Sequence, residues 1–476
     1  MRALLSYALL LMCLPAWAGG NVTLYGTIQH PVSDSIFISF NDNRIAYYPN
    51  DHWALLDKKG HFRLELTTPA VGFLPAEIRH GNHLAEIILQ PGDSLELSID
   101  ANRFDSSIHY NGRGAAAANF VAWHTLKRGR MNQYTTRLRK QMNKEPGDYL
   151  KAIEKERNGE IDFLNTASGL PAAFTRYWAS FYQYYNYFFM QQYPQVHEII
   201  KKHRYTDTIP AESYAVVKAI PLAFNDSFLV LPPYLMYCAG IFDAKLRADG
   251  YTYDKYDSVQ IRKTQDSVLK LATLKMPAAT CEYYLAQALY SSARFQLLAR
   301  TEGQLGSFSR RWPNSAYLPM VQKQVEIARR LAPGQPAPDI ELMDTDGKLM
   351  KLSDLKGKVV YLGFWAGWCK QCVGEMLAEK KVKDLIRNKP LVFAYVSLSA
   401  DTAADNKLIR KYKISGVFGQ ASSGWGDQVV QQYGVQGLPA YYLIDEDGNF
   451  ALQATPVPAR STELILAIEK QFKDDR

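Results

Sequence analysis

Trp365-Ala366-Gly367-Trp368-Cys369-Lys370-Gln371-Cys372 follows an apolar run, Val359-Val360-Tyr361-Leu362-Gly363-Phe364, and precedes a helical stretch from near Val373. A short apolar run of this kind reads as a buried strand. The two cysteines therefore fall at a strand-to-helix junction. At that spacing they stand one helical turn apart and can close a small disulfide. The first lies at the helix N-terminus, where unpaired N–H groups and the helix dipole favour a thiolate. The stretch predicts thiol–disulfide exchange.

Upstream of this motif, Leu331-Ala332-Pro333-Gly334-Gln335-Pro336-Ala337-Pro338 reads as a proline-rich joint. Beyond it, strands are expected at 359–365, 391–397 and 440–444, with a hairpin-like turn at Asp346-Gly347, a last turn at 445–448 and a closing helix over 462–472. Strands alternating with helices predict a largely parallel sheet covered by helices. Before the joint, helical periodicity fits 115–141, 148–165, 171–192, 258–275 and 278–301. Earlier still, short alternating runs such as Phe62-Arg63-Leu64-Glu65-Leu66 and Ser94-Leu95-Glu96-Leu97-Ser98-Ile99 are separated by turn residues. That pattern predicts a small β-sandwich. The segment 177–193 is crowded with aromatic residues, which suits either a helix buried on most sides or an apolar surface for unfolded clients.

The N-terminus carries Arg2, an apolar run from Ala3 to Leu14, and Ala16-Trp17-Ala18, a small-x-small cleavage pattern. These read as a secretory signal peptide over 1–18, giving an exported, periplasmic protein that is soluble after cleavage. Lipidation at Cys13 is disfavoured by bulky Met12 before it, and a retained membrane anchor is the other alternative. Four cysteines then remain. Cys238 and Cys281 are either a second pair or two buried thiols. The formal charge of +8 is spread without basic runs, which argues against nucleic acid as a partner. Metal binding at Cys369 and Cys372 would need further ligands, and no histidine follows Cys369. No metal and no cofactor beyond the redox-active pair are expected.

Three groups of residues resemble the TlpA/ResA-like branch of exported thiol–disulfide oxidoreductases, within the thioredoxin-like superfamily. They are Pro336-Ala337-Pro338-Asp339 with 352–358, Phe364 to Cys372, and Tyr433-Gly434-Val435-Gln436-Gly437-Leu438-Pro439 followed by 443–445. The match covers roughly residues 331–476. The expected architecture is thus a β-sandwich-like domain over 19–112, an α-helical domain over 113–330 and a thioredoxin-like domain over 331–476. The resemblance implies that Cys369 attacks and Cys372 resolves. It implies a cis peptide at Pro439, so that Leu438 offers backbone to a client strand beside the sulfurs, with Trp368 as a further substrate contact. Glu375 is read either as a proton handler for Cys372 or as a surface glutamate favoured by the helix dipole. A peroxidase of similar fold would place Thr or Ser three residues before its reactive cysteine and Pro four further back. Ala366 and Leu362 stand there, which disfavours peroxide chemistry.

Lys370 adds positive charge beside Cys369. Gln371 stands where proline is usual in this branch. Both are expected to tune the potential, which decides the direction of exchange. The leading expectation is reduction of client protein disulfides, apocytochrome c among the clients the resemblance implies, with electrons from a membrane-bound donor. The alternatives are a binding or assembly protein with a regulatory dithiol, and a disulfide isomerase.

Overall fold

A computed structural model describes residues 20–41, 49–68, 72–202, 209–251, 258–295, 298–343, 348–386, 388–452 and 455–472. The signal-peptide reading and the Asp346-Gly347 turn lie outside the described residues. The chain divides into two compact units between Gln287 and Ala288.

The first unit opens with strands β1 (Gly20–Gln29), β2 (Ser35–Asn41), β3 (Pro49–Leu55), β4 (His61–Thr68), β5 (Leu74–His80), β6 (His83–Leu89), β7 (Ser94–Asp100) and β8 (His109–Arg113). They form two four-stranded sheets, ordered β4-β1-β7-β8 and β3-β2-β5-β6. Alternation along β4 is regular, with every second side chain buried. Val22, Leu24, Leu64, Leu66, Leu95 and Leu97 of one sheet share a single core with Ile36, Ile38, Ile78 and Ile87 of the other.

Helices follow: α1 (Phe104–Ser107), α2 (Ala115–Arg128), α3 (Met131–Gln141), α4 (Pro146–Asn165), α5 (Ala172–Lys202), α6 (Ala215–Lys218), α7 (Pro232–Ala248), α8 (Ser258–Lys275) and α9 (Ala278–Phe295). The continuous stretch expected over 115–141 is two helices, because Gly129 at φ 87° closes α2. The aromatic segment belongs to α5, which buries Tyr177, Trp178, Phe181, Tyr182, Tyr184, Phe189 and Tyr193. Cys238 and Cys281 are buried and are not joined by a disulfide. Among the described residues no helix is long and apolar enough to cross a membrane.

The second unit takes in the end of α9, α10 (Leu298–Arg311) and α11 (Leu318–Arg330). The division therefore falls earlier than the joint at 331. Side chains explain why: Tyr290 donates to Gln436 at 3.1 Å, and Gln436 donates to Gln324 at 2.7 Å. A sheet follows, built from β9 (Glu341–Met343), β10 (Leu349–Lys351), β11 (Val359–Trp365), β12 (Leu391–Ser397), β13 (Val417–Gln420) and β14 (Ala440–Ile444). Its order is β10-β9-β13-β12-β11-β14. Only β11, β12 and β13 run parallel, while β9, β10 and β14 are antiparallel additions, so the sheet is mixed rather than largely parallel. The helices of this part are α12 (Lys370–Ile386), α13 (Thr402–Tyr412), α14 (Gln428–Gln432) and α15 (Ser461–Glu469).

Candidate active site

β11 is buried along its whole length, as its unbroken apolar run requires of a central strand. It delivers Trp365 and Ala366, both buried, to the loop that carries the cysteines. Cys369 and Cys372 are joined by a disulfide, with their Cα atoms 5.2 Å apart. Cys369 immediately precedes α12, and its carbonyl accepts from Val373 N–H at 3.2 Å. Its Sγ accepts from Cys372 N–H at 3.1 Å. The sulfur thus takes the place of a capping oxygen over one of the helix's unpaired donors. That hydrogen bond favours the thiolate whenever the disulfide is opened. Cys372 is fully buried and Cys369 is 9% exposed, so an incoming sulfur meets Cys369 first.

The predicted residues around the pair divide into those the fold gathers and those it turns outward. The Leu438–Pro439 peptide is cis. Leu438 packs against the apolar cluster that contains both cysteines. Trp368 is 63% exposed beside Cys369. Lys370 and Gln371 are exposed on the first turn of α12. Glu375 is half-buried, and its carboxylate accepts from Ala459 N–H at 2.8 Å.

Two buried acids near the site escaped the sequence reading. Asp405 of α13 is 3% exposed and accepts from Gly367 N–H at 3.0 Å, two residues before Cys369. Its other oxygen accepts from the Ser397 hydroxyl, and Ser397 lies opposite Trp365 in the sheet. A Cβ on Gly367 would sit 2.3 Å from the Asp405 carboxylate, so the loop needs glycine there. Nothing local in the sequence announces this contact. Glu379 did leave a signal. Cys372, Met376, Glu379, Val382 and Ile386 are the buried stripe of α12. Glu379 thus takes an apolar position of a helical repeat. It is fully buried, accepts from the Tyr395 hydroxyl, and pairs with Lys383 at 3.2 Å. Its second oxygen, Oε1, has no hydrogen-bond partner. Burial pushes the Glu379 carboxyl above the usual range, only partly offset by Lys383 and Tyr395. Burial also pushes the Lys383 ammonium down, so both partners are driven toward neutrality.

This geometry agrees with the comparisons. A redoxin family model matches residues 332–461. The thiol-disulfide oxidoreductase ResA of Bacillus thuringiensis (strain Al Hakam) is 32% identical over 120 residues, which cover 25% of this chain and 68% of the relative. The chain belongs to the ResA-like thiol-disulfide oxidoreductases of the thioredoxin superfamily. ResA of Geobacillus thermodenitrificans (strain NG80-2) is 31% identical over 119 residues, covering 25% of this chain and 67% of that protein. Among solved structures, a putative thiol-disulfide oxidoreductase from Bacteroides vulgatus is similar at 29% identity and a TM-score of 0.27, covering 30% of this chain and 99% of that one. The ResA-like part of the chain is therefore its C-terminal, thioredoxin-like end, and its activity is thiol–disulfide oxidoreduction. Among the described residues no group of three or more His, Cys, Asp or Glu side chains is arranged to hold a metal ion.

Proposed function

We propose that the chain is an exported reductant of client protein disulfides, working through Cys369 and Cys372. The observation that carries this reading is the Cys369 sulfur at the head of α12, accepting an N–H, with Cys372 sealed beneath it. In the reduced protein, the Cys369 thiolate attacks one sulfur of a client disulfide, and the client's other sulfur leaves as thiolate. Cys372 then loses its proton and attacks the Cys369 sulfur. The bond to the client breaks, the client is left as a dithiol, and Cys369–Cys372 becomes the disulfide. Two electrons from an external donor must restore the dithiol, and a membrane-bound donor fits an exported location. Leu438 and cis-Pro439 would dock an extended client segment, with Trp368 as its apolar rim. Glu375 would hold the proton that Cys372 gives up, while Lys370 and Gln371 would tune the potential.

Export rests on Arg2, the apolar run to Leu14 and the Ala16-Trp17-Ala18 pattern. The two N-terminal sheets are read as a β-sandwich because their inner faces share one core. The extent of the first unit favours a second role, holding a partner or an assembly whose state the dithiol reports.

The test is reduction of insulin by the mature chain with dithiothreitol as electron source. Turnover that falls at least a hundredfold in both Cys369→Ser and Cys372→Ser supports the exchange reading. Turnover independent of both cysteines overturns it. Binding of a defined partner that persists in the double serine variant would favour the assembly role.

A further inference from the structure

The Asp405 carboxylate is a charged group that the fold ties directly to the loop bearing the reactive cysteine. It comes from α13, yet one oxygen holds Gly367 N–H at 3.0 Å and the other holds the Ser397 hydroxyl. Both bonds use it as acceptor. The side chain is 3% exposed, so water screens it poorly. Gly367 lies two residues before Cys369, and two residues span at most about 7 Å, which with the 3.0 Å bond and the length of the cysteine side chain puts the carboxylate within roughly 14 Å of the sulfur. Lys370, the cation next to Cys369, is exposed and screened by solvent. At the head of α12, the Cys372 N–H favours the thiolate, and Asp405 opposes it.

We infer that Asp405 is a positioning residue that fixes the 366–369 loop and whose buried negative charge destabilises the Cys369 thiolate, making the reduced protein a stronger electron donor. Opening the disulfide takes two electrons and one proton, leaving a Cys369 thiolate and a Cys372 thiol. A fixed anion nearby penalises that product and leaves the neutral disulfide unaffected, so the couple shifts toward disulfide. At roughly 10–14 Å and an effective dielectric constant near 20, the penalty corresponds to about a tenfold change in the equilibrium constant. This inference rests on the exchange reading above and supplies the direction that Gln371 left open.

The experiment equilibrates the full chain with glutathione buffers at pH 7 and counts free thiols at Cys369 and Cys372 after alkylation. Asp405→Asn keeps an oxygen for Gly367 N–H and removes the charge. It is expected to move the equilibrium about tenfold toward the dithiol, a rise of about 30 mV. Ser397→Ala removes one donor but keeps the charge, and should stay within twofold of the unaltered chain. The inference is overturned if Asp405→Asn also stays within twofold, or if Ser397→Ala shifts as far as Asp405→Asn. Should Asp405→Asn not fold, Gly367→Ala serves instead, since its Cβ would meet the carboxylate at 2.3 Å and drive it from the loop. A shift toward the dithiol in that variant supports the inference, and no shift overturns it. The exchange reading fails separately, if the unaltered chain does not reduce insulin.

Discussion

Two fully buried glutamates, one in each unit, show how differently this protein treats a carboxyl taken out of water. Glu160 in the helical part of the first unit meets His124 at 2.8 Å, Arg128 at 2.9 Å and Arg137 at 2.6 Å. Glu379 on the active-site helix meets Lys383 and the Tyr395 hydroxyl, and one of its oxygens has no partner. Burial pushes both upward. At Glu160 the hydrogen bonds and charges of His124 and Arg128 outweigh it and hold the carboxylate below its usual range. At Glu379 burial wins. Removing two charges from water costs several kcal/mol per ion, and a buried acid stays ionised only where enough donors converge on it. The first unit spends its buried acid on rigidity. The second keeps one whose proton burial holds more tightly, two helical turns from Cys372.

The largest effect should come from breaking the better-paired site. Glu160→Ala leaves His124 and Arg128 without their shared carboxylate, while Arg137 keeps Glu156, and should cost about 3–5 kcal/mol of stability in urea denaturation. Replacing Glu379 and Lys383 together by methionine removes a poorly compensated pair and should be neutral or stabilising, by about 1–4 kcal/mol. A loss comparable to that at Glu160 would erase the distinction between them.

Acidity sharpens the same comparison. The folded value of Glu160 is depressed, so its contribution is present above the unfolded value of 4.5 and is lost as pH falls through the folded value. The folded value of Glu379 is raised above 4.5, so folding binds its proton more tightly. Its contribution is present at low pH and is lost as pH rises through the folded value. In chemical denaturation followed across pH, Glu379→Gln should flatten the decline in stability above pH 4.5, while Glu160→Gln should flatten the acid limb. Interchanged behaviour would show that the partner sets have been misread.

The parts of this picture that were legible in the sequence are those whose chemistry is local. The strands at 359–365, 391–397 and 440–444 and the dithiol at the head of a helix each depend on neighbouring residues, and the structure has them at those positions; the cis peptide at Pro439 came from the family resemblance instead. What stayed hidden depends on distant segments. Gly367 gives no hint of Asp405, because the two meet only once α13 packs beside the loop. Helices α10 and α11 read as part of the middle domain, since nothing in their own periodicity points to the second unit. Glu379 lay between these cases. Its place on the stripe of Cys372, Met376, Val382 and Ile386 marks it as buried, while Glu375 is the acid that stands one turn from Cys372.

Glu375 supplies the smallest expected effect and the finest division among the three glutamates. It is half-buried, and its bond from Ala459 N–H can be kept by an amide oxygen. Glu375→Gln should therefore change stability by no more than about 0.5 kcal/mol, the range of ordinary surface substitutions. If Glu375 handles the proton of Cys372, the cost falls on chemistry instead, and insulin reduction should slow by about 10²-fold or more at neutral pH, with an altered pH profile. Glu379→Gln would then leave the turnover rate within a fewfold, because that acid sits a further turn along α12 from Cys372. The opposite result, a slow Glu379→Gln and a normal Glu375→Gln, would move proton handling to the buried acid. The unpartnered Glu379 oxygen would then be the end of a proton path rather than a cost of packing.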